Sequence, residues 1–391
     1  MAKDKQLKKP KVLMIGPVPP PYSGPEISME LFLKSSLRER FSLLFLKTNF
    51  RKSNVRKGKL DLFMLLSFWV FFAKLIAILL FRRPRVAYYP VTPTAVGWLG
   101  RDALTLLLCR WLRVPSVIHL RGSHFRLNFQ TFRPWVQRII RYAVRDVRLA
   151  LVQADYLHEE FTMLLPPERI KTLYQAIDCR EFPIGNAADV EPDSVLVVGH
   201  LTQAKGYCDV LRAIPRVLEA VPGAKFYFAG NMRRGERGVF FNQYDGTPLC
   251  YEDPFETEAQ FLSTTEPGHY FKLGIISGAQ KLERFQRASV FLMPSYSEGF
   301  SRALLEALTL GKAVACTPVG AHREVIRDGE HALIFLPGEV EQMADAVIRL
   351  LRDGALRERM GRNNRRYAES AFSIEVIAQQ LGDDFAAVMR R

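Results

Sequence analysis

The feature that most constrains the fold of this 391-residue chain is an alternation of short apolar runs with stretches of helical periodicity. Runs such as Lys11–Gly16 (KVLMIG) and Ser194–Gly199 (SVLVVG) are typical of strands buried on both faces. Strands that alternate with helices predict parallel sheets with crossover helices. The other predicted strands are Phe41–Leu46, Val86–Tyr89, Ser116–His119, Leu149–Gln153, Lys171–Tyr174, Lys225–Gly230, Val290–Met293 and Ala313–Cys316.

The alternation stops at the polar segment Pro183–Asp193 and then restarts, which predicts a linker between two domains. We expect two doubly wound, Rossmann-like α/β domains, residues 1–185 and 186–373, which face each other across a ligand cleft. The amphipathic stretch 374–391 predicts a C-terminal helix that returns toward the first domain. Met232–Pro267 is aromatic and loop-like, and we interpret it as an insertion near the cleft.

The positive charge of the chain lies in its first half. The net charge is +15, and residues 1–190 hold 31 Lys and Arg against 14 Asp and Glu. A basic folded half indicates an anionic partner, namely nucleic acid, an acidic membrane surface or a phosphorylated substrate, or else a solvated face with no partner. The five cysteines are scattered without a C-x-x-C pair, so we expect reduced thiols and neither a disulfide framework nor a zinc site.

The segment Leu60–Phe81 is apolar and close in length to a membrane span. Lys74 lies in its middle, Asp61 lies near its start, and basic clusters flank it on both sides. Three interpretations stay open: a spanning helix, a buried core helix, and a helix in the membrane interface. Because Met1–Lys11 lacks the apolar core of a signal peptide, we expect a cytoplasmic protein held peripherally at the inner face of the cytoplasmic membrane.

The spacing Glu298-x7-Glu306 lies where a predicted strand gives way to a helix. Gly299 permits close approach of the backbone to a ligand, and free N–H groups near Phe300 and Ser301 would form an anion site suited to a diphosphate. The alternative is an ordinary helix N-cap with acidic residues that complement the helix dipole.

Two further groups of residues follow predicted strands. Gly199, His200 and Lys205 follow the first strand of the second domain, where a lysine can neutralise a leaving phosphate, although it can equally be a surface residue in a turn. In the first domain, Gly24 closes the proline-rich turn PPPYSG and His119 ends another strand; a single histidine there is more often a structural residue than a functional one. No G-x-G-x-x-G or P-loop occurs, so the turn is not a dinucleotide or ATP fingerprint.

Together these residues resemble glycosyltransferase family 4, the retaining family with the GT-B fold that includes bacterial polysaccharide and lipopolysaccharide glycosyltransferases. The resemblance is most specific over Ala288–Leu336, which is similar to the family's E-x7-E block and carries Gly320 and Glu324 in its next loop. The segment Gln175–Asp178, with Phe182 after it, is similar to the family's segment that closes the first domain.

The resemblance implies a role for each of these residues. Glu306 would bind ribose, Glu298 the transferred sugar, and Lys205 the leaving phosphate, while His119 would reach the sugar from the first domain. It also implies retention of configuration through front-face attack assisted by the leaving phosphate. Because a D-x-D motif is absent, we expect no metal and no cofactor besides the nucleotide-sugar co-substrate. The backbone of Gly299, Phe300 and Ser301 would hold the diphosphate, with Gly24, Gly199 and His200 completing the donor site.

Three departures from the family pattern affect the expected donor geometry. His200 replaces an arginine, so a phosphate contact would move to Arg302 or Arg212. Gly24-Pro25 replaces paired glycines, and Gln175-Ala176 replaces an Asn-Gly pair.

We expect a hexosyltransferase of cell-surface polysaccharide biosynthesis that acts on a membrane-associated, lipid-linked or lipopolysaccharide-like acceptor. Its partners would be the nucleotide sugar, the glycan acceptor and an anionic membrane. The alternatives are a catalytically inactive scaffold of the same fold and a basic nucleic-acid-binding protein. The latter predicts aromatic residues interleaved with Lys and Arg, whereas the aromatic residues gather in runs such as Phe68–Phe72.

Overall fold

The computed structural model describes residues 9–20, 24–48, 62–122, 125–234, 240–265 and 268–390. Contacts divide the chain into two compact units, each described by itself below. The first comprises Met1–Ile177 together with Ile374–Arg391, and the second comprises Asp178–Ser373.

The first unit contains a six-stranded, all-parallel sheet of order β2-β1-β3-β4-β5-β6, as the alternating sequence predicted. His119 lies near the carboxyl end of β4, opposite Pro90 on β3 and Leu151 on β5. The strands are β1 (Lys11–Gly16), β2 (Ser42–Lys47), β3 (Val86–Val91), β4 (Ser116–Leu120), β5 (Val147–Val152) and β6 (Ile170–Thr172).

The helices of the first unit cover both faces of this sheet. Right-handed crossovers place the helices that lead to β3, β4 and β5 on one face and the β1–β2 connection on the other. In chain order the helices are α1 (Gly24–Lys34), α2 (Leu37–Arg40), α3 (Leu62–Ala77), α4 (Ala95–Gly97), α5 (Ala103–Trp111), α6 (Phe125–Thr131) and α7 (Pro134–Val144). Wider π-helical turns, Ile78–Arg82 and Trp98–Asp102, follow α3 and α4.

Helix α3 accounts for most of the apolar segment whose role the sequence left open. Phe71, Phe72 and Leu75 are buried, so one side of the helix belongs to the core. Within the described ranges, no helix has both the length and the apolarity that crossing a bilayer requires. Leu60 and Asp61 of that segment lie outside the described residues.

The C-terminal stretch forms a helix, which we number α15 (Ile374–Arg390), in the core of the first unit. The apolar residues on one side of this helix recur at helical spacing and are buried, and Phe385 packs edge-on against Phe41 and Tyr88. Polar contacts add to this packing, since Lys171 Nζ lies 2.6 Å from Asp384 Oδ1.

The second unit repeats the architecture with a parallel sheet of order β11-β8-β7-β12-β13-β14. Its strands are β7 (Ser194–Val198), β8 (Lys225–Ala229), β11 (Tyr270–Gly274), β12 (Val290–Met293), β13 (Ala313–Cys316) and β14 (Leu333–Ile334), with a separate hairpin of β9 (Phe240–Phe241) and β10 (Pro248–Leu249). Its helices are α8 (Tyr207–Ala220), α9 (Pro254–Thr264), α10 (Gly278–Arg287), α11 (Arg302–Thr309), α12 (His322–Val325), α13 (Val340–Arg352) and α14 (Gly354–Ala371).

The region Met232–Pro267 is more regular than the loop that its sequence suggested. It contains the β9–β10 hairpin and α9, whose first turn is capped by the Asp253 side chain accepting from the Phe255 N–H at 2.9 Å. An aspartate directly before a proline is a recognised helix start, so the sequence did carry this signal. Residues 235–239 and 266–267 lie outside the described residues.

Candidate functional site

Glu298 and Lys205, which lie far apart in sequence, form an ion pair in the second unit. Lys205 Nζ lies 2.7 Å from Glu298 Oε1, and the Ser295 hydroxyl donates to the same oxygen at 2.8 Å. Burial raises the pKa of the Glu298 carboxyl, but the charge of Lys205 and these hydrogen bonds outweigh burial, so the pKa is lowered overall. Glu298 is therefore held as a carboxylate beside a cation.

The turn before α8 places Lys205 at this position. It ends at Gly206, whose φ of +70° lies in the left-handed region. A Cβ at residue 206 would lie 2.1 Å from the carbonyl oxygen of Pro294, so only glycine fits. The Tyr296 N–H also donates to the Ala204 carbonyl at 3.0 Å. The loops that carry Lys205 and Glu298 are thus joined through their backbones.

The loop after β13 packs beneath Glu298. Gly320 has a φ of +59°, and a Cβ there would lie 2.4 Å from the Glu298 carbonyl oxygen. The Ala321 N–H donates to the Gly299 carbonyl at 2.8 Å. His322, which the sequence analysis did not single out, is buried beside this loop, and burial lowers its pKa. A neutral imidazole at this position supports the loop without competing with Lys205 for the carboxylate.

Glu306 is buried on α11 and engaged by two cations. Lys281 Nζ lies 2.5 Å from one carboxylate oxygen, and Arg302 Nε lies 3.3 Å from the other. A hydroxyl ligand of Glu306 would have to share the carboxylate with them. Spacing along the sequence does not indicate Lys281, because this residue lies on a different helix, α10.

The backbone segment between the two glutamates has mixed roles. Ser301 is the N-cap of α11, where its hydroxyl accepts from the Leu304 N–H at 3.3 Å. The ring of Phe300 is buried edge-on against Phe372 at 5.3 Å, so only its backbone is placed to meet a ligand. The capping interpretation therefore holds for Ser301, and it leaves the first turn of α11 able to receive an anion.

The remaining positions predicted in the second unit either follow β7 or lie on the helices α8 and α11. Gly199 follows β7, and its N–H donates to the Ala229 carbonyl at 3.0 Å. His200 is exposed, and its pKa is lowered by partial burial and by the charges of Arg233 and Lys205. Arg212, one of two alternative phosphate ligands, pairs instead with Asp209 at 3.0 Å and with Glu252. The other alternative, Arg302, pairs with Glu306.

Two predicted site residues belong to the first unit. Gly24 is the first residue of α1, and its carbonyl accepts from the Ser28 hydroxyl at 2.9 Å; residues 21–23 of the preceding turn lie outside the described residues. His119 is buried, its Nδ1 lies 2.7 Å from the Tyr88 hydroxyl, and its Nε2 has no hydrogen-bond partner among the described residues. Burial, together with the charge of Arg121, holds the pKa of His119 well below its usual value. The imidazole is neutral at pH 7.

The loop that carries Glu298 is hydrogen-bonded to the hairpin of the insertion. The sequence did not predict this contact. The Gln243 N–H donates to the Tyr296 carbonyl at 3.0 Å, and the Gln243 side-chain oxygen accepts from the Glu298 N–H at 2.9 Å. Arg323 donates to the Tyr244 carbonyl at 2.6 Å and ties the hairpin to α12. The insertion is therefore a structural part of the site.

Metal ligands form no cluster in the part of the chain that the structure describes: no group of three or more His, Cys, Asp or Glu residues is placed to hold an ion. The cationic group nearest Glu298 is Lys205.

Each unit is a parallel six-stranded sheet with flanking helices, which is the architecture of the GT-B fold. HepE from Anabaena, crystallised with UDP, superposes with a TM-score of 0.69 over 96% of this chain and 100% of its own, at 16% identity. Residues 178–367, just under half of the chain and most of the second unit, match the family described as glycosyl transferases group 1.

The relatives of this chain differ in the substrates that their names record. Glycogen synthase from Mycobacterium tuberculosis is 24% identical over 311 residues, which cover 78% of this chain and 70% of that protein. Phosphatidyl-myo-inositol mannosyltransferase from Mycobacterium leprae is 28% identical over 231 residues, which cover 58% of this chain and 54% of that protein. The chain thus spans between about half and 70% of the length of these relatives.

Proposed function

We propose that this protein transfers a hexosyl group from a nucleotide sugar to a membrane-associated acceptor with retention of anomeric configuration. The observation that carries the proposal is the Lys205–Glu298 ion pair beside the first turn of α11. It combines a fixed cation for a leaving diphosphate, a carboxylate for sugar hydroxyls and backbone N–H groups for phosphate oxygens.

The proposed chemistry needs no protein nucleophile. The bond between the anomeric carbon and the diphosphate oxygen breaks, and the acceptor oxygen bonds to that carbon on the same face. The acceptor proton passes to the departing phosphate oxygen. Lys205 stabilises the charge that develops on the diphosphate, and Glu298 fixes the sugar hydroxyls. Because a lysine supplies the positive charge, turnover should survive chelation of divalent cations.

Glu306 is proposed to bind the ribose. Lys281 and Arg302, which contact its carboxylate in the structure, would move when the ribose binds. Both cations lie within 3.3 Å of its carboxylate. When ribose hydroxyls donate to Glu306, either cation is free to turn toward a phosphate oxygen. This rearrangement would supply the positive charge that His200, whose pKa is lowered, does not bring to the phosphate while neutral.

The membrane-associated acceptor is supported by the first unit. Residues 1–190 carry the excess of positive charge, and α3 exposes large apolar side chains. A lipid-linked or lipopolysaccharide-like acceptor at the inner face of the cytoplasmic membrane would account for both features. The named activity of the M. leprae relative, a phosphatidyl-myo-inositol mannosyltransferase, is consistent with this acceptor class.

Thermal unfolding in the presence of UDP-, GDP- and ADP-sugars tests the donor. A ligand that binds only the folded state raises the melting temperature, and we expect one nucleotide series to do so. The stabilising donor, radiolabelled in its sugar, is then incubated with bacterial membranes, and the label should enter the lipid extract. Stabilisation without label in that extract would contradict the membrane-associated acceptor, whereas no stabilisation would contradict the donor site.

Replacing Gln243 by methionine is expected to lower kcat about fivefold while nucleotide affinity changes little. The substitution keeps the volume of the side chain but removes the acceptor of the Glu298 N–H, and one such hydrogen bond contributes about 1 kcal/mol. The measurement is steady-state turnover together with nucleotide affinity by calorimetry. Asp245→Asn on the same hairpin is the control, because asparagine can still accept from the Thr247 N–H. Equal effects of the two substitutions would show that Gln243 does not position Glu298.

A further inference from the structure

Three of the four tryptophans of the chain are exposed on neighbouring helices of the first unit. Trp69 on α3, Trp111 at the end of α5 and Trp135 on α7 expose 71%, 61% and 49% of their surfaces. The helices α3, α5 and α7 precede the successive strands β3, β4 and β5 and cross to them in the same right-handed sense, so they lie on one face of the sheet. Helix α5 contacts both α3 and α7, so the three helices lie side by side. We call their outward side the tryptophan face.

Core packing explains only the inner side of α3. Phe71, Phe72 and Leu75 bury that side, while Leu66, Trp69, Val70, Ile76 and Leu80 recur at helical spacing on the outer side. Phe81, in the π-helical turn after α3, is 81% exposed. A contiguous apolar surface on a described helix face marks an interaction site rather than a random scatter of exposed residues.

Arginines accompany the apolar side chains. On α7, Trp135, Ile139 and Tyr142 alternate with exposed Arg138 and Arg141. Arg82 and Arg83 are exposed directly after Phe81. Aromatic residues mixed with exposed arginines are typical of side chains that lie at the headgroup level of a bilayer.

A cavity of about 230 Å³ opens at the amino ends of β4 and β5, next to Trp111 and Tyr142. Arg110, Arg113, Arg148 and Asp146 line it. Arg110 pairs with Asp146 at 2.6 Å and lies over the Tyr142 ring, so one arginine offsets the one carboxylate. Two arginines are left in excess.

Arg113 and Arg148 supply that excess charge. Neither has a carboxylate within ion-pair distance among the described residues, and Arg113 has a φ of +57°, a costly backbone conformation for a non-glycine residue. An exposed pair of unpaired guanidinium groups in a small cavity fits a phosphate with a short polar substituent.

We infer that the tryptophan face docks on an anionic bilayer and that the Arg113–Arg148 cavity holds a lipid headgroup phosphate. Aliphatic and aromatic side chains enter the interface, and the arginines take up the phosphate charge. Exposed leucine, isoleucine and valine distinguish this face from a nucleic-acid surface, which would need aromatic rings for stacking but not aliphatic side chains. The inference rests on the proposed function and names the surface through which it would meet the membrane.

Flotation with vesicles of phosphatidylcholine, with and without phosphatidylglycerol, tests the inference on the full chain. We expect binding to the anionic vesicles. The double variant Arg113→Gln/Arg148→Gln should weaken binding about fivefold for each arginine, and Trp69→Ala/Trp111→Ala/Trp135→Ala roughly tenfold or more. Arg349→Gln/Arg359→Gln, exposed arginines of the second unit, and Leu262→Ala are matched controls.

Four outcomes would overturn the inference, and the first three are equal binding to both vesicle types, controls that weaken binding as much as the test variants, and displacement of the protein from vesicles by single-stranded RNA. Binding of free glycerol phosphate without vesicle binding would place the phosphate site outside the membrane and also overturn it. All substituted side chains are at least partly exposed, so melting temperatures should stay unchanged. Donor-induced stabilisation, measured on the same variants, reports on the proposed function separately.

Discussion

Replacing Lys205 by alanine is expected to lower sugar-transfer turnover by roughly 100- to 1000-fold. Preorganised charge that meets a developing oxyanion contributes about this much in enzymes. Lys205 is held 2.7 Å from Glu298 by the Gly206 turn and by the backbone link between Ala204 and Tyr296. Initial rates with the stabilising donor, together with donor affinity by calorimetry, measure the effect.

Lys225→Ala is the matched control for this prediction. Lys225 also lies in the second unit and pairs with Glu191 at 3.1 Å, but it lies at the start of β8, at the opposite end of the strand from its carboxyl edge. Its loss should leave turnover within about twofold of wild type, since exposed ion pairs contribute about 1 kcal/mol or less to stability. A double variant with Glu298→Gln should be far from additive, because the two residues share one contact. Wild-type rates in Lys205→Ala would remove Lys205 from the proposed mechanism.

Replacing Gly206 by alanine is expected to destabilise the second unit by roughly 2–4 kcal/mol and to abolish turnover. The Cβ would meet the Pro294 carbonyl oxygen at 2.1 Å, in addition to the strain of a φ of +70°. The turn can relieve the clash only by moving away from Pro294, and that movement carries Lys205 with it.

Gly329→Ala is the control that distinguishes the steric clash with Pro294 from the backbone strain of a positive φ. Gly329 has a φ of +71°, but a Cβ there meets nothing within 4 Å. Its substitution should therefore cost only about 1 kcal/mol, the ordinary penalty of a left-handed conformation. Thermal unfolding and chemical denaturation of both variants measure the difference. Equal losses of stability would mean that the close approach to Pro294 does not constrain the turn.

The sequence predicted the two parallel sheets well because buried parallel strands are short, continuous apolar runs. Strand β11 was not predicted, because Tyr270–Gly274 (YFKLG) lies at the edge of its sheet, is only partly buried and is not a continuous apolar run. The hairpin β9–β10 was not predicted either, because strands of two residues are too short to show a periodic pattern. Edge and very short strands depend on tertiary contacts that no local pattern encodes.

The predicted site was less complete than the predicted fold. Spacing alone indicated Glu298 and Glu306, but it could not reveal that Lys281 from α10 pairs with Glu306. It also could not reveal that Gln243 binds the Glu298 backbone, because that contact joins residues 55 positions apart. Such contacts arise from the way loops converge at the carboxyl edge of the sheet, not from any single segment.

The apolar segment around α3 shows a different limit. Its composition could not distinguish a core helix from an interfacial one, because both need apolar residues at helical spacing. The structure shows apolar side chains on both sides of the helix, with Phe71 buried and Trp69 exposed. Only the position of the helix relative to the sheet separates the side that packs from the side that is free to bind.

The proposed reaction is tested most directly by the anomeric configuration of its first-formed product. The protein is incubated with the stabilising donor and its acceptor, and proton NMR compares the coupling constant of the anomeric proton in the donor with that in the glycoside product. Retention predicts that the new glycosidic bond has the same anomeric configuration as the sugar in the donor. A product of the opposite configuration would contradict retention through the leaving phosphate at Lys205, and an unconsumed donor would contradict glycosyl transfer by this chain.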